Sequence, residues 1–180
     1  KLNSIYMNYN FQETPTLQTE RLIIRDANLN DINSVFELRS SQEINKFVGT
    51  KRIESTKEAK NFIETCNALF QVKKRIFWLT EFNQKVIGSV VLHNINLDLN
   101  YAEIGYKLKP EYHQQGLMTE VLEKVITFAE KSMKLKTLEA FTHKNNLASI
   151  ALLKKLNFVL QTGRRCKTYD FNRIYKLDIK

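Results

Sequence analysis

A lone glycine between a strand pattern and a helix pattern restricts the possible folds of this chain more than any other feature. Apolar and polar residues alternate over Tyr101–Leu108, which is typical of a strand, and Pro110 ends it. Apolar residues then recur at helical spacing over residues 117–132. No Ser, Asp or Asn stands where this helix would need a side-chain cap. The pattern therefore predicts a turn around Gly116 that directs several unpaired backbone N–H groups at one point.

Unpaired N–H groups at the start of a helix favour an anion, because the helix dipole adds positive potential there. A phosphate would satisfy these donors better than a side-chain cap, and Gly116 would let the backbone approach closely or adopt a positive φ. A plain tight turn with a water-capped helix is the alternative, since a single glycine is a weak phosphate motif by itself. The surrounding pattern has to decide between the two.

The rest of the chain has the pattern of a mixed α/β domain without a linker, repeat or low-complexity segment. Periodicity predicts the order strand, two helices, three strands, helix, strand, helix and two strands. Asn83 and Gln84 are predicted to form a hairpin turn, Asn146 to cap a helix, and Asn157 to end it in the left-handed region. The predicted segments outside the glycine region are residues 20–27, 28–44, 56–72, 75–82, 85–97, 137–143, 146–156 and two strands around residues 163–167.

Composition agrees with a folded domain and limits its surroundings. The 180 residues are 43% hydrophobic and 26% charged, which permits a core and is unlike a disordered chain. The chain has no run of about 18 apolar residues, so no membrane span is predicted. Its polar start predicts no secretory signal, and Cys66 and Cys166 have no metal or redox spacing. A cytoplasmic protein without a metal site is therefore expected.

Positive charge is concentrated in the last third of the chain. Residues 121–180 contain 13 Lys/Arg and 5 Asp/Glu, whereas residues 1–120 contain 15 and 14, within a net charge of +9. A solvated basic surface is the ordinary explanation of scattered lysines. An anionic partner of the C-terminal third is the sharper one.

Two stretches carry a resemblance to a known family. The sequence "GYKLKPEYHQQGLMTEVL", followed by a strand and by "NNLASIALLKKLNF", resembles the acetyl-CoA-binding core of the GCN5-related N-acetyltransferases, the GNAT family. The front of the chain, "LQTERLIIRDANLNDI", is similar to the opening of the subgroup that includes ribosomal-protein N-terminal acetyltransferases. The resemblance implies one domain over residues 17–180 after an extension of residues 1–16. It implies a mixed α/β fold whose central, twisted, mostly antiparallel sheet of about seven strands has helices on both faces.

The resemblance also implies how the turn would hold the pyrophosphate of acetyl-CoA. The family's Gln/Arg-x-x-Gly-x-Gly/Ala loop falls on His113, Gly116 and Met118, and the first and last of these depart from the pattern. The contacts are main-chain N–H groups, which any residue except proline can supply. His113 either adds a donor or covers the loop, and the Thr119 hydroxyl either bonds a phosphate or belongs to a plain first turn. The implied cofactor residues of the loop are His113, Gln114, Gln115, Gly116, Leu117, Met118 and Thr119.

At the thioester end, the resemblance places the pantetheine beside the predicted strand and the last helix. Tyr106 and Leu108 would pair with the pantetheine amides, and Asn146 and Ser149 would lie beside the pantetheine and the sulfur. Gly105 is interpreted as a bulge that splays its strand from the next, with close packing as the alternative. Many relatives have a proton-donating tyrosine where this chain has Leu153. Ser149 or a water would then serve the thiolate.

The implied reaction is direct attack of an amine on the thioester of acetyl-CoA, and the amine must arrive neutral. At pH 7, deprotonation costs about 1.4 kcal/mol for an α-amine and about 4.6 kcal/mol for a lysine side chain. A modest base is therefore sufficient for an N-terminus, and Glu103 is the candidate. A solvated or ion-paired carboxylate is the alternative for Glu103, and His93 and His143 are interpreted as structural.

The acceptor implied by the subgroup is a protein or peptide N-terminus, as in ribosomal-protein acetyltransferases, and the protein is expected to be a monomer or homodimer. A small-molecule amine such as a polyamine or aminoglycoside remains an alternative, because a fold does not determine its acceptor. A non-catalytic CoA-binding module is another. The basic last third also allows a nucleic-acid-binding module, although the sequence contains no recognition motif for one.

Overall fold

The part of the chain that the computed structural model describes, residues 9–179, contains one eight-stranded sheet and four α-helices. Short 3-10 turns at Leu29–Asp31 and Pro110–Tyr112 precede two of the helices. The elements in chain order are β1 (Leu17–Gln18), β2 (Leu22–Asp26), α1 (Ile32–Ser40), α2 (Thr56–Gln71), β3 (Arg75–Phe82), β4 (Lys85–Asn96), β5 (Tyr101–Leu108), α3 (Leu117–Lys131), β6 (Thr137–His143), α4 (Leu147–Lys155), β7 (Val159–Leu160) and β8 (Asn172–Asp178).

The predicted mixed α/β class and the predicted order of elements are confirmed. The sheet has eight strands because β1, only two residues long, pairs with β2 ahead of the first predicted strand. A two-residue strand has too few positions to show a period. None of the helices in residues 9–179 is long and apolar enough to cross a membrane.

The local predictions about turns and caps are also confirmed. Asn83 and Gln84 have φ of 48° and 62°, which suits a tight hairpin turn between β3 and β4. The side chain of Asn146 accepts a hydrogen bond from the Ser149 N–H and so caps α4. Asn157 has φ of 66° just after the same helix. Each of these conformations depends on neighbours in sequence, which explains why the sequence predicts them.

The sheet order is β1-β2-β3-β4-β5-β6-β8-β7, and β5 and β6 are the one parallel pair among its neighbours. Their ladder has only three residue pairs, Tyr101–Glu103 against Thr137–Glu139, after which the strands part. The predicted bulge does not lie at Gly105, because β4 and β5 stay in register through this residue and the irregularity lies between His93 and Asn96. The predicted separation of β5 from the next strand is present, since its pairing with β6 ends at Glu103. Gly105 instead permits close packing, since a Cβ there would lie 3.2 Å from Val91.

Two hydrophobic clusters cover the two faces of the sheet. Strand β3 shows the division, since Trp78 faces the larger cluster with α3 whereas Phe77 faces the smaller one with α1 and α2. Successive side chains of a strand point to opposite faces, so a strand covered on both sides is buried throughout. The gap between β5 and β6 therefore connects an α3 face to an α1/α2 face.

Residues 9–16 pack against the α3 face. Tyr9 is 1% exposed, and the ring of Phe11 lies 5.3 Å from that of Phe128 on α3. The indole N–H of Trp78 donates to the Pro15 carbonyl at 2.7 Å. Residues 9–16 of the predicted extension therefore contact the core, and residues 1–8 lie outside the described residues.

Candidate active site

The turn before α3 leaves its backbone donors unused. Gly116 is the N-cap residue with φ 74° and ψ 4°, and no side chain caps the helix. Gln114 has a positive φ of 57° as well. None of the N–H groups of residues 114–119 donates to another described residue. The turn thus presents a row of free donors at the positive end of a helix dipole, as an anion site requires.

The side chains of the turn keep clear of these donors. Leu117 and Met118 are buried against the sheet, so the methionine that departs from the family pattern does not cover the loop. The ring of His113 bonds the Leu108 carbonyl at 3.0 Å between Nε2 and O, which ties the turn to the end of β5. Thr119 is half-buried in the first turn of α3.

Arg21 is a neighbour of the turn that the sequence did not reveal. Its Nη1 donates to the Gln115 carbonyl at 3.0 Å, and its Nε pairs with Glu120 at 2.7 Å. Its Nη2 lies 3.6 Å from the position that a Cβ on Gly116 would occupy. An ion-paired guanidinium therefore lies beside the free N–H groups, and its Nη2 is placed where it could donate to a bound anion.

A pair of hydroxyl groups joins β5 to α4 beside the gap in the sheet. Tyr106 Oη and Ser149 Oγ are 2.7 Å apart, and the Asn146 cap fixes the backbone of Ser149. Burial raises the pKa of Tyr106 to about 12, so its proton is retained at neutral pH. Leu153 is fully buried in the core and offers no polar group to the site.

A cavity of about 940 Å³ opens on the α1/α2 face and extends to the same hydroxyl pair. The sheet forms the floor of the cavity. Neighbouring strands place four side chains side by side in one row across it, namely Arg75 on β3, His93 on β4, Glu103 on β5 and Glu139 on β6. Lys107 stands on the same face of β5, four residues after Glu103. Four strands thus contribute charged or titratable side chains to one cavity.

Glu103 is held in this row by neighbouring donors. Asn94 Nδ2 lies 3.0 Å from its Oε1, the Tyr101 hydroxyl 3.3 Å from the same oxygen, and His93 Nε2 3.7 Å from its Oε2. Burial lowers the pKa of His93, and the positive charge of Arg75 adds to this while Glu103 opposes it. The imidazole is therefore neutral at neutral pH and can accept a proton.

The second carboxylate of the row is already engaged. Glu139 is 3% exposed, pairs with the guanidinium of Arg164, and accepts from the Tyr101 hydroxyl at 3.0 Å. Burial, followed by the charges of Glu103 and Glu139, raises the pKa of Tyr101 above its usual range. The single O–H of Tyr101 thus lies within hydrogen-bond distance of both carboxylates, with the shorter distance to Glu139.

The α1–α2 loop and the β7–β8 loop cover the cavity and contact each other. A Cβ on Gly49, in the α1–α2 loop, would lie 2.7 Å from the ring of Tyr169, in the β7–β8 loop, so the loops touch there. The ring of His143 lies 4.8 Å from Phe171 and 5.3 Å from Phe47, and its Nδ1 accepts from the Asn145 N–H. These contacts suit the structural role predicted for His143, although it also lines the cavity.

The structure brings some of the predicted residues together and separates others. Glu103, Tyr106, Asn146 and Ser149 line one cavity. The loop residues from His113 to Thr119, and Leu108, lie outside it at the start of α3 and the end of β5. The residues that the sequence did not reveal as parts of the site are Arg21, Arg39, Arg75, His93, Tyr101, Lys107, Glu139 and Arg164.

Residues 21–159 match the family model of the acetyltransferase (GNAT) domain. This span is more than half of the chain, and the chain therefore belongs to the GNAT family and is an N-acetyltransferase. The predicted family and the predicted fold class are both confirmed.

The chain is similar to relatives of several kinds. The uncharacterized N-acetyltransferase YoaA of Bacillus subtilis (strain 168) is 33% identical over 167 residues, which cover 92% of this chain and 94% of the relative. RimL, a ribosomal L7/L12 α-N-protein acetyltransferase solved with coenzyme A, has a TM-score of 0.83 at 18% identity, covering 92% of this chain and 98% of that one. MccE, a microcin C7 self-immunity acetyltransferase solved with acetyl-CoA and AMP, has a TM-score of 0.75 at 19% identity, covering 89% and 94%.

Proposed function

We propose that the protein transfers the acetyl group of acetyl-CoA to the α-amine of a protein or peptide, of the ribosomal-protein type. The observation that carries this proposal is the gap between β5 and β6. On one side of the gap a helix start presents free N–H groups, and on the other a cavity contains the Glu103–His93 pair. The Tyr106–Ser149 hydroxyl pair lies where the two sides meet.

Acetyl-CoA binding would use main-chain groups. The pyrophosphate would accept from the N–H groups of residues 114–119, with Arg21 as an additional donor. The pantetheine would lie along the edge of β5 that β6 leaves unpaired after Glu103, near Tyr106 and Leu108. Coenzyme A in RimL and acetyl-CoA in MccE support this assignment.

The chemical step joins the amine to the acetyl carbon. The amine nitrogen attacks the thioester carbonyl, the new C–N bond forms, and the C–S bond breaks. The proton lost by the nitrogen passes to the Glu103–His93 pair, directly or through a water, and the thiolate of CoA takes up a proton in turn. Glu103 and the neutral His93 lie 3.7 Å apart and can share the role of base.

The Tyr106–Ser149 pair is suited to the leaving group. Ser149 Oγ can donate to the sulfur as negative charge develops there, while the protonated Tyr106 hydroxyl donates to Ser149. This arrangement supplies a hydroxyl donor from α4 and β5 although Leu153 supplies none. Ser149 on α4, which the family resemblance implied, thus has a hydroxyl partner on strand β5.

An α-amine is the acceptor that best suits such a base. Deprotonation at pH 7 costs about 1.4 kcal/mol for an α-amine and about 4.6 kcal/mol for a lysine side chain. Within residues 9–179, the polar contacts of Glu103 are with Asn94, Tyr101 and His93, none of which is a strong base. RimL, whose fold this chain shares, acts on the α-amine of a ribosomal protein. Both points support a protein or peptide N-terminus over a lysine side chain.

Mass spectrometry of acetylated products tests the proposal. The protein is incubated with acetyl-CoA and a panel of peptides with free N-termini, N-blocked lysine peptides, polyamines and aminoglycosides. Acetylation at peptide α-amines is expected. Acetyl groups found only on lysine side chains or only on small amines would contradict the acceptor, and tight CoA binding without any acetylated product would contradict the activity.

A further inference from the structure

Three cations from separate elements line the proposed acceptor cavity. Arg39 belongs to the last turn of α1, Arg75 begins β3, and Lys107 stands near the end of β5. All three side chains line the cavity. We call them the cation cluster. They come from three elements that are distant in sequence, so their convergence is a property of the tertiary fold.

The cation cluster has no carboxylate partner among residues 9–179. No Asp or Glu oxygen lies within ion-pair distance of Arg39, Arg75 or Lys107 in this part of the chain. The Nε atoms of Arg39 and Arg75 are buried and make no hydrogen bond. Lys107 Nζ donates to the neutral side-chain oxygen of Asn45, and Arg75 Nη1 lies 3.8 Å from Cys66 Sγ.

Three other half-buried cations, Arg25, Lys109 and Lys176, each pair with a carboxylate, unlike the members of the cluster. Arg25 pairs with Asp31 at 2.9 Å and with Glu81 at 2.8 Å. Burial, together with repulsion from Arg39, lowers the pKa of Lys107 to about 7. An uncompensated buried charge is costly, and an anion from outside the chain would remove that cost.

The rest of the cavity does not supply this anion. Six cationic residues line the cavity against two carboxylates, and Glu139 is paired with Arg164. The other carboxylate, Glu103, accepts from Asn94 and Tyr101 and lies at the opposite end of the β5 segment from Lys107. The guanidinium of Arg39 is stacked 3.8 Å from the centre of the Phe62 ring, which holds the planar group in place.

Given the acetyl transfer proposed above, we propose that the cation cluster binds an anionic group, a carboxylate or a phosphate, carried by the acceptor. The amine would lie at Glu103 and the anion between Arg39 and Lys107. Lys107 is four residues beyond Glu103 on the same strand, a separation of about 13 Å. An extended peptide advances about 3.3 Å per residue, so about four residues span this distance and the anion belongs to residue 2, 3 or 4 of the acceptor. Polyamines and aminoglycosides carry the wrong charge for this end of the cavity.

Matched peptides test the position and the charge of the anion. A set of C-terminally amidated pentapeptides carries Glu or Gln at position 2, 3 or 4, and kcat/KM with acetyl-CoA is measured for each. We expect at least one Glu peptide to exceed its Gln partner by about tenfold, as charge-assisted contacts with desolvated groups allow. A phosphoserine peptide and a short peptide with a free C-terminal carboxylate distinguish the source of the anion. Equal rates for all Glu and Gln pairs, with no gain for the other two anions, would overturn the proposal.

Variants test whether the cation cluster is responsible. Arg39→Gln and Lys107→Met should each reduce the preference for the anionic peptide several-fold, to about one-third or less of its parent value. Lys57→Gln, at an exposed position of α2 outside the cavity, is the matched control and should leave the preference unchanged. If Arg39→Gln fails to fold, Lys107→Met carries the test. An unchanged preference in a folded variant would contradict the cluster, as would a loss of CoA affinity in place of the preference.

A binding measurement separates this proposal from the proposed activity. Isothermal titration with the N-acetylated forms of the same Glu and Gln peptides requires no turnover. Tighter binding of the Glu form that depends on Arg39 or Lys107 would support the subsite even if no peptide were acetylated. Acetylation of peptide N-termini without any charge preference in rates or binding would support the activity and overturn the subsite.

Discussion

Around the gap between β5 and β6, the two faces of the sheet present different kinds of chemical group, backbone N–H groups on one face and side chains on the other. On the α3 face, the candidate cofactor site consists of backbone N–H groups around Gly116, next to a hydrophobic core. On the α1/α2 face, the candidate acceptor site consists of side chains from five strands, three helices and the loops that connect them. The first site depends on backbone conformation and the second on which side chains meet.

This difference suits the two substrates. A cofactor that never changes can be held by main-chain groups, which tolerate substitutions such as Met118 as long as the side chain turns into the core. An acceptor has to be selected, and selection needs particular charges at particular places. The loops that cover the acceptor cavity can change without disturbing the turn before α3.

The largest expected effect is on the backbone site. Gly116→Val places a β-branched residue at φ 74°, a strain of about 1–3 kcal/mol that the turn would relieve by moving its N–H groups. Calorimetry should show acetyl-CoA affinity reduced by about tenfold to one hundredfold. Gly163→Val is the control, because a Cβ there meets no atom within 4 Å and φ is not positive. Parent-like affinity in Gly116→Val would refute the phosphate-binding role of the turn.

The hydroxyl pair at the gap should affect turnover rather than binding. Ser149→Ala should lower kcat by about tenfold or more with a smaller change in the acetyl-CoA KM, since its hydrogen bond strengthens only as the thiolate forms. Tyr106→Phe should cause a similar loss, and the double variant should lose little more because the two hydroxyls act together. Thr127→Ala, on the exposed side of α3, controls for loss of a hydroxyl. A rise in KM alone would assign Ser149 to binding.

The half-buried cation Lys107 should lower the free energy of unfolding near neutral pH. Lys107 has a pKa of about 7 in the folded protein and 10.5 ordinarily, so the unfolded chain binds more protons between these values and stability falls as the pH falls from 10.5 to 7. Lys107→Met removes this penalty and should stabilise the protein by roughly 1–3 kcal/mol near pH 7, after the lost contact with Asn45 is counted.

Thermal unfolding of the parent and of Lys107→Met across pH 6 to 10 measures this effect. The gain should be largest at pH 7 and below and should fade toward pH 10. A variant less stable than the parent at pH 7 would show that Lys107 is compensated by a group within the protein. That result would also weaken the contrast between the two faces.

The smallest effect is expected from replacing Glu103, the candidate general base. Glu103→Gln keeps the size of the side chain and its contacts with Asn94 and Tyr101, but it removes the negative charge beside His93. Turnover should fall by roughly three- to tenfold, with the largest loss at low pH, where deprotonation of the amine limits the rate. Glu123→Gln, exposed on α3, is the control in kcat–pH profiles. A profile identical to that of the parent would leave Glu103 a structural role only.

Much of the fold and the cofactor half of the site could be predicted from the sequence. The hairpin at Asn83, the cap at Asn146 and the turn at Gly116 all have the predicted backbone. Whether β5 has a bulge at Gly105 could not be predicted from the local sequence. The separation of β5 from β6 depends on how far their parallel pairing extends, which is a long-range property. Nor does periodicity distinguish a structural histidine from His93, which meets Glu103 across two strands.

The sequence by itself determined the order of elements, the strand–glycine–helix junction and the family. Helix caps, tight turns and periodic faces depend on residues within about four positions of one another, so a single chain contains the information. Only the tertiary structure decided that Tyr106 meets Ser149, 43 residues away, and that Arg21 reaches Gln115 across 94. It also decided that Arg39, Arg75 and Lys107 line one cavity and that none of them pairs with a carboxylate of residues 9–179. Such contacts depend on sheet register and loop packing. The cost of burying unpaired cations together can be recognised only once the positions of their side chains are known.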